Sequence, residues 1–170
     1  MKTNHRPFQK WLLIATTFLI SCNIFSQTKI PATWQPGMKL SMSYGGGMRY
    51  YSYKLEIKDS GSFYSVNEEG KVTNYKLNIT TKDLNSLLTF LQNNRFDRIE
   101  TEMKGPIYDK GSENILLSWN GHHIGAGENH MEVIADKYRD DYHEIESYIM
   151  QLVERSKQEV KELPGQESTD

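Results

Sequence analysis

Tyr51-Ser52-Tyr53-Lys54-Leu55-Glu56-Ile57-Lys58 alternates strictly, with Tyr51, Tyr53, Leu55 and Ile57 separated by polar neighbours. A period of two demands an extended strand with one buried and one wet face. Asp59-Ser60-Gly61 then reads as a turn, Ser62 to Val66 as a second strand and Glu68-Glu69-Gly70-Lys71 as another turn. Val72 to Ile79 returns with Tyr75, Leu77 and Ile79 on one side. Three strands joined by such short turns predict an antiparallel meander. Upstream, Lys39 to Tyr44 reads as a further strand, turned back at Gly45-Gly46-Gly47, because consecutive glycines enter turn conformations at low steric cost.

The pattern then changes period. Thr80-x-x-Asp83 matches a capping box, and Leu84, Leu87, Leu88 and Leu91 follow at helical spacing on one face. This helix is expected to end near Asn93-Asn94, with Phe96 and Ile99 bringing the chain back to the core. Lys104 to Gly111 reads as a loop, Ile115 to Trp119 as a strand, Asn120-Gly121 as a tight hairpin turn and His122 to Ala126 as a weaker return strand. A second amphipathic helix is predicted from about Asp136 to Arg155, carried by Tyr138, Tyr142, Ile145, Ile149 and Leu152. The resulting fold class is α+β: an antiparallel sheet of about five to six strands with two amphipathic helices packed on one face.

The amino terminus has a different composition. Lys2, Arg6 and Lys10 precede an apolar run from Trp11 to Ile20, and no acidic residue occurs before Glu56. A basic start, a short apolar stretch and small residues after it form an export signal, and the run is too short for a membrane span of about 20 apolar residues. Leu19-Ile20-Ser21-Cys22 resembles the lipobox of bacterial lipoproteins, which implies lipidation of Cys22. Leu19 and Ser21 fit the pattern, and Ile20 is bulkier than the usual residue. The competing reading is cleavage after Ser26, which would release a soluble periplasmic or secreted protein. No acidic run follows Cys22, so the expected location is the cell envelope, facing the periplasm. The expected layout is a signal peptide over 1–21, a tether over 22–37, one domain over 38–156 and a disordered tail over 157–170.

Composition excludes several activities. Three of the 20 Lys and Arg and none of the 22 Asp and Glu fall in the first 21 residues, leaving 17 cations against 22 anions. Such an acidic balance argues against nucleic acid as a partner. Cys22 is the only cysteine, so disulfides within the domain, thiol catalysis and cysteine-type zinc sites are ruled out.

Four groups of residues are candidates for chemistry. His122, His123, His130 and His143, with Glu128 and Glu144, are dense in sequence but lack metal-ligand spacing, and adjacent His122 and His123 point to opposite faces of a strand. The glycines at 45–47 and between Gly121 and Gly127 match neither a P-loop nor a dinucleotide fingerprint. No Gly-x-Ser-x-Gly is present. Asp109, Glu113 and Glu128 gather around the second hairpin, where a glycosidase pair would need two carboxyls about 5–10 Å apart across a groove. Tyr44, Tyr50, Tyr51, Tyr53, Phe63, Tyr64 and Tyr75 crowd the first strands. Alternation separates Tyr50 from Tyr51 and Tyr64 from Phe63, leaving some rings to face solvent, where tyrosine suits binding surfaces.

Tyr53-Lys54-Leu55-Glu56-Ile57, Asp59-Ser60-Gly61-Ser62, Thr81-Lys82-Asp83-Leu84, Phe96-Asp97 and the closing amphipathic helix together resemble small exported (lipo)proteins of unknown function from Bacteroidota. The resemblance spans about residues 39 to 155 and implies no catalytic residue and no cofactor. The expected function is therefore a non-enzymatic envelope binding or accessory module, attached to the membrane through lipid on Cys22 and binding a protein or glycan partner. The alternative is a small metal-binding protein or hydrolase that uses the His122–His130 hairpin.

Overall fold

The computed structural model describes residues 29–47 and 50–160; Cys22, the export segment and residues 161–170 lie outside them. The chain is α+β, as its periodicities predict. Seven strands form one antiparallel sheet: β1 (Lys39–Gly45), β2 (Tyr51–Lys58), β3 (Ser62–Glu68), β4 (Lys71–Leu77), β6 (Ser112–Trp119), β7 (His122–Glu128) and β9 (Lys157–Val160). Their spatial order is β7-β6-β1-β2-β3-β4-β9. A separate two-stranded ribbon pairs β5 (Thr101–Met103) with β8 (Glu132–Ile134). The sheet thus exceeds the expected five to six strands. β5 and β8 have three residues each, too few for alternation to register in the sequence.

Helix α1 (Thr81–Asn93) begins at the predicted capping box. Thr80 Oγ1 accepts from Asp83 N at 3.2 Å, while Thr80 N donates to Asp83 Oδ2 at 3.1 Å. Leu84, Leu87, Leu88 and Leu91 are buried, each burial contributing about 1.5–3 kcal/mol before entropy is counted. Helix α2 (Arg139–Ser156) buries Tyr142, Ile145, Ile149, Leu152 and Val153. Phe90 of α1 stacks on Tyr148 of α2 with ring centres 4.1 Å apart.

Two domain boundaries are corrected. The expected tether is structured from residue 29 onward: Ile30 is buried, Gln92 Nε2 donates to the carbonyls of Ile30 and Pro31 at 3.0 and 2.9 Å, and Trp34 N donates to Asn85 Oδ1 at 2.8 Å. One isolated isoleucine among polar and turn residues carries no period, so packing by a single anchor cannot be seen in sequence. The expected disordered tail begins four residues too early, since Lys157–Val160 pairs with β4 at the sheet edge. Charged residues belong on an edge strand, and there they look like disorder.

The inner face of the sheet is built in cross-strand rows. Ile124, Leu117, Leu40 and Ile57 form one row, and Ala126, Ile115, Met42, Leu55, Tyr64 and Tyr75 the next. One step further along the strands comes Glu128, Glu113, Tyr44 and Tyr53, in direct register. The same face therefore passes from an aliphatic row to one that ends in Tyr and Glu over four residues of each strand. Among the described residues no helix is long and apolar enough to cross a membrane.

Candidate functional site

Alternation places Glu113 on the face of β6 that also presents Ile115, Leu117 and Trp119, all buried. A carboxyl at the end of a core stripe loses hydration, and water is replaced here by little. Tyr53 Oη donates to Glu113 Oε1 at 3.2 Å. Its other oxygen receives no hydrogen bond from the described residues. Burial, then the negative charge of Glu146, pushes the Glu113 carboxyl up to about 7; Glu128 adds to the rise, while the Tyr53 hydrogen bond and the charge of His143 oppose it.

Glu128, its direct neighbour across the strands, is treated in the opposite way. Burial works against its charge, but the Lys110 ammonium at 2.7 Å and the backbone N–H of Ile134 at 3.0 Å outweigh it, holding the carboxyl below its usual range. Lys110 is brought there by its loop. Lys104 N and Ile107 N donate to the carbonyls of Met131 and His130 at 3.0 and 2.7 Å, and Asn129 Oδ1 ties the facing turn through Met131 N and Glu132 N.

A hollow of about 430 Å³ opens at this corner, lined by Tyr44, Gly47, Asp109, Lys110, Gly111, Glu113 and Glu128. Two glycines set its dimensions. A Cβ on Gly111 would stand 2.7 Å from the Tyr44 hydroxyl, so any larger residue would push that ring out of the wall. A Cβ on Gly127 would collide with the carbonyl of Glu113, so glycine is what allows β7 to run so close behind the carboxylate.

Helix α2 contributes Tyr142, 1% exposed, whose hydroxyl has no hydrogen-bond partner among the described residues. Burial, and then the charges of Glu113, Glu146 and Glu128, raise its ionisation well above the ordinary phenol range. Tyr53 is raised for the same reasons, burial first and then Glu113 and Glu146. Helix α2 adds His143, whose Nδ1 lies 3.3 Å from Glu146 Oε2. Away from the carboxylates a tyrosine band crosses from this row into the neighbouring one: Tyr44–Tyr53, Tyr53–Tyr64 and Tyr64–Tyr75 ring centres are 5.9, 6.0 and 5.9 Å apart.

Of the residues singled out in sequence, the structure unites Asp109, Glu113 and Glu128 with Tyr44 and Tyr53, and brings His143 to their border. Tyr64 is buried, whereas Tyr50 is 86% exposed beyond the end of its strand. His122, His123 and His130 are exposed. Among the described residues no group of three or more His, Cys, Asp or Glu side chains is arranged to hold a metal ion, so the His122–His130 hairpin forms no such centre. Sequence reasoning missed Lys110, Tyr142 and Glu146 as members of the site. Tyr142 was legible only as one more ring in a helical stripe, while Glu113 had a usable signal: it stands two residues before Ile115, on the buried phase of the strand.

A larger hollow of about 770 Å³ lies on the opposite, helix-free face, lined by Ser41, Ser43, Ser52, Lys54, Ser65 and Asn67 among others. Its one carboxylate, Glu56, is already paired with Lys58 at 2.6 Å and Lys39 at 3.5 Å. Size favours this hollow, but none of its lining polar side chains is buried without a partner; Asn74 Oδ1, buried and unpartnered opposite Ser65 on β4, is not part of the lining. Comparison with known protein families and with characterised proteins finds no match for the chain.

Proposed function

We propose that the chain is an exported envelope protein, lipid-anchored through Cys22 in the manner of the small Bacteroidota proteins it resembles, and that it works as a non-enzymatic binding module. Its ligand enters the corner hollow between Tyr44, Glu113 and Glu128. One observation carries this reading: a half-buried carboxyl whose single hydrogen bond comes from Tyr53 ends a core row, and a fully buried, unpartnered hydroxyl on α2 feels its charge. A row built for stability alone would place aliphatic side chains at both positions, because buried polar groups without partners are costly. Sites retained at a cost in stability are sites kept for another purpose.

A second reading has one observation in its favour. Neighbouring carboxyls with separated proton affinities are the arrangement used for general acid and base work, and Glu113 and Glu128 are separated in that way. Against it, both Glu128 oxygens are engaged, one by Lys110 and one by Ile134 N. A carboxylate so occupied is poorly placed to attack a substrate or activate water, so binding is preferred.

Two measurements test the proposal. Labelling the producing cells with an alkyne fatty acid should tag the protein, and Cys22→Ser should abolish the tag and release the protein from the membrane fraction; an untagged, released wild type would refute the anchor. For the hollow, Glu113→Gln should unfold at a higher temperature than wild type at pH 8. A lower one would make Glu113 a structural residue and remove the binding reading.

A further inference from the structure

We propose that the outer edge of β7 docks a second copy of this chain, strand to strand, about a two-fold axis at Ile124. The contact lies outside the corner hollow and does not depend on it.

β7 ends the sheet and pairs only with β6. Its turn decides which backbone groups stay open. In a two-residue hairpin the flanking residues, here Trp119 and His122, exchange hydrogen bonds, so His122, Ile124, Ala126 and Glu128 point their N–H and C=O groups at β6. His123, Gly125 and Gly127 point theirs away. Among the described residues no further backbone bond reaches these three, and His123 and Gly125 are exposed. The far end of the strand is engaged, because Glu128 accepts from Ile134 N of the neighbouring ribbon.

The two edges of the sheet are treated differently. Bare edges invite pairing with other chains, and proteins blunt them with shortness, lysine, proline or bulges. β9 is blunted in this way: it has four residues, and its first, Lys157, reaches Glu154 at 2.6 Å. β7 has seven residues, His-His-Ile-Gly-Ala-Gly-Glu, with no lysine, arginine or proline, and its register with β6 is unbroken. The unprotected edge is the one that calls for a partner.

The partner that fits is β7 itself. Antiparallel pairing about Ile124 sets His123 against Gly125 of the copy and Gly125 against its His123, each pair exchanging both N–H···O bonds. Glycine opposite each imidazole leaves it room. Ile124 then meets its own counterpart in a non-hydrogen-bonded pair, where side chains approach most closely. This completes what one chain leaves open. Ile124 ends the row of Ile57, Leu40 and Leu117 and is only half-buried, whereas those three are wholly buried. A two-fold also sets each charge near the axis against its own kind. No carboxylate, lysine or arginine lies between His122 and Gly127, so like charges do not meet there. The contact is one strand wide, which places Kd on the order of 100 µM.

Disulfide trapping tests this on the full chain, purified in non-ionic detergent and oxidised with copper phenanthroline. Ile124→Cys should give about tenfold more disulfide-linked dimer on non-reducing gels than His123→Cys or Lys76→Cys, because only position 124 faces itself across the axis. Cys22 is common to all three and sets the shared background. Adding His123→Pro to Ile124→Cys should cut the dimer about tenfold, since proline blocks the edge while removing an N–H that β6 does not use. A second measurement needs no substitution. Amide hydrogen exchange at His123 and Gly125 of the unsubstituted chain should slow about fivefold between about 10 µM and about 1 mM protein. Equal trapping at all three cysteines, no dimer from Ile124→Cys, trapping that His123→Pro leaves unchanged, or exchange independent of concentration would each overturn the proposal.

Discussion

Two ends of the same sheet face follow opposite rules. At one end Leu40, Ile57 and Leu117 meet in register and are wholly buried. Two rows away on the same strands, Tyr44, Tyr53, Glu113 and Glu128 occupy equivalent positions, and the buried Tyr142 hydroxyl of α2 feels the charge of both carboxylates. Geometry, pleat and register are shared, so the difference lies entirely in side-chain chemistry. The aliphatic end is what burial free energy selects; the carboxylate end retains groups that burial penalises. A fold that tolerates such a penalty at one corner must be supported elsewhere, and the aliphatic rows are the support.

The comparison breaks most visibly at the aliphatic end. Leu117→Ala removes a fully buried side chain from a row flanked by Leu40 and Ile124, and should destabilise by about 2–5 kcal/mol through lost transfer energy and a residual cavity. Denaturant or thermal unfolding would read this as a fall of roughly 10 °C in Tm. A fall of only a degree or two would mean that the two ends contribute alike and that the contrast between them is not energetic.

At the carboxylate end the sign should reverse. Glu113 titrates near 4.5 when unfolded and at about 7 when folded, so the folded protein holds this proton more tightly. Its contribution is fully present below about pH 4.5 and is lost as pH rises through 7. The shift would amount to about 3 kcal/mol at most, reduced to about 1–2 kcal/mol by the solvent access of a half-buried group. Glu113→Gln keeps an acceptor for Tyr53 and removes the charge, so it should gain about 1–2 kcal/mol at pH 8 and almost nothing at pH 5. Urea melts at both pH values check this, and an equal gain at the two would show that ionisation is not the cause.

How much of this contrast could be read from sequence differs between the two ends. The Leu84–Leu91 stripe, the Thr80 capping box, the Tyr51–Ile57 alternation and the Asn120-Gly121 turn are local signals, and each sits where its spacing requires. Asn120 and Gly121 both take positive φ, 45° and 78°, as a tight hairpin needs. The carboxylate corner is assembled from β1, β2, β6, β7, the 104–111 loop and α2, and its members are neighbours only through register. Alternation could assign Glu113 to the buried face, but not set Glu128 opposite it or Lys110 beside Glu128. The short strands β5 and β8 and the edge strand β9 were hidden for a related reason: pairing, not composition, makes them strands.

Tyr142 gives the smallest expected effect and the sharpest discrimination. It shares the helical stripe of α2 with Ile145 and Ile149, so its ring belongs to the aliphatic rule while its hydroxyl belongs to the carboxylate corner. Tyr142→Phe keeps the ring and deletes only the hydroxyl. A buried hydroxyl without a partner costs about 1–3 kcal/mol, and relief of part of that cost should raise stability by about 1 kcal/mol. Because the phenol stays protonated throughout the working range, the gain should be the same at pH 5 and pH 8, unlike that of Glu113→Gln. A loss of stability instead would mean that the hydroxyl is satisfied within the fold, and Tyr142 would then count with the aliphatic end, leaving Glu113 as the lone unmatched group of the row.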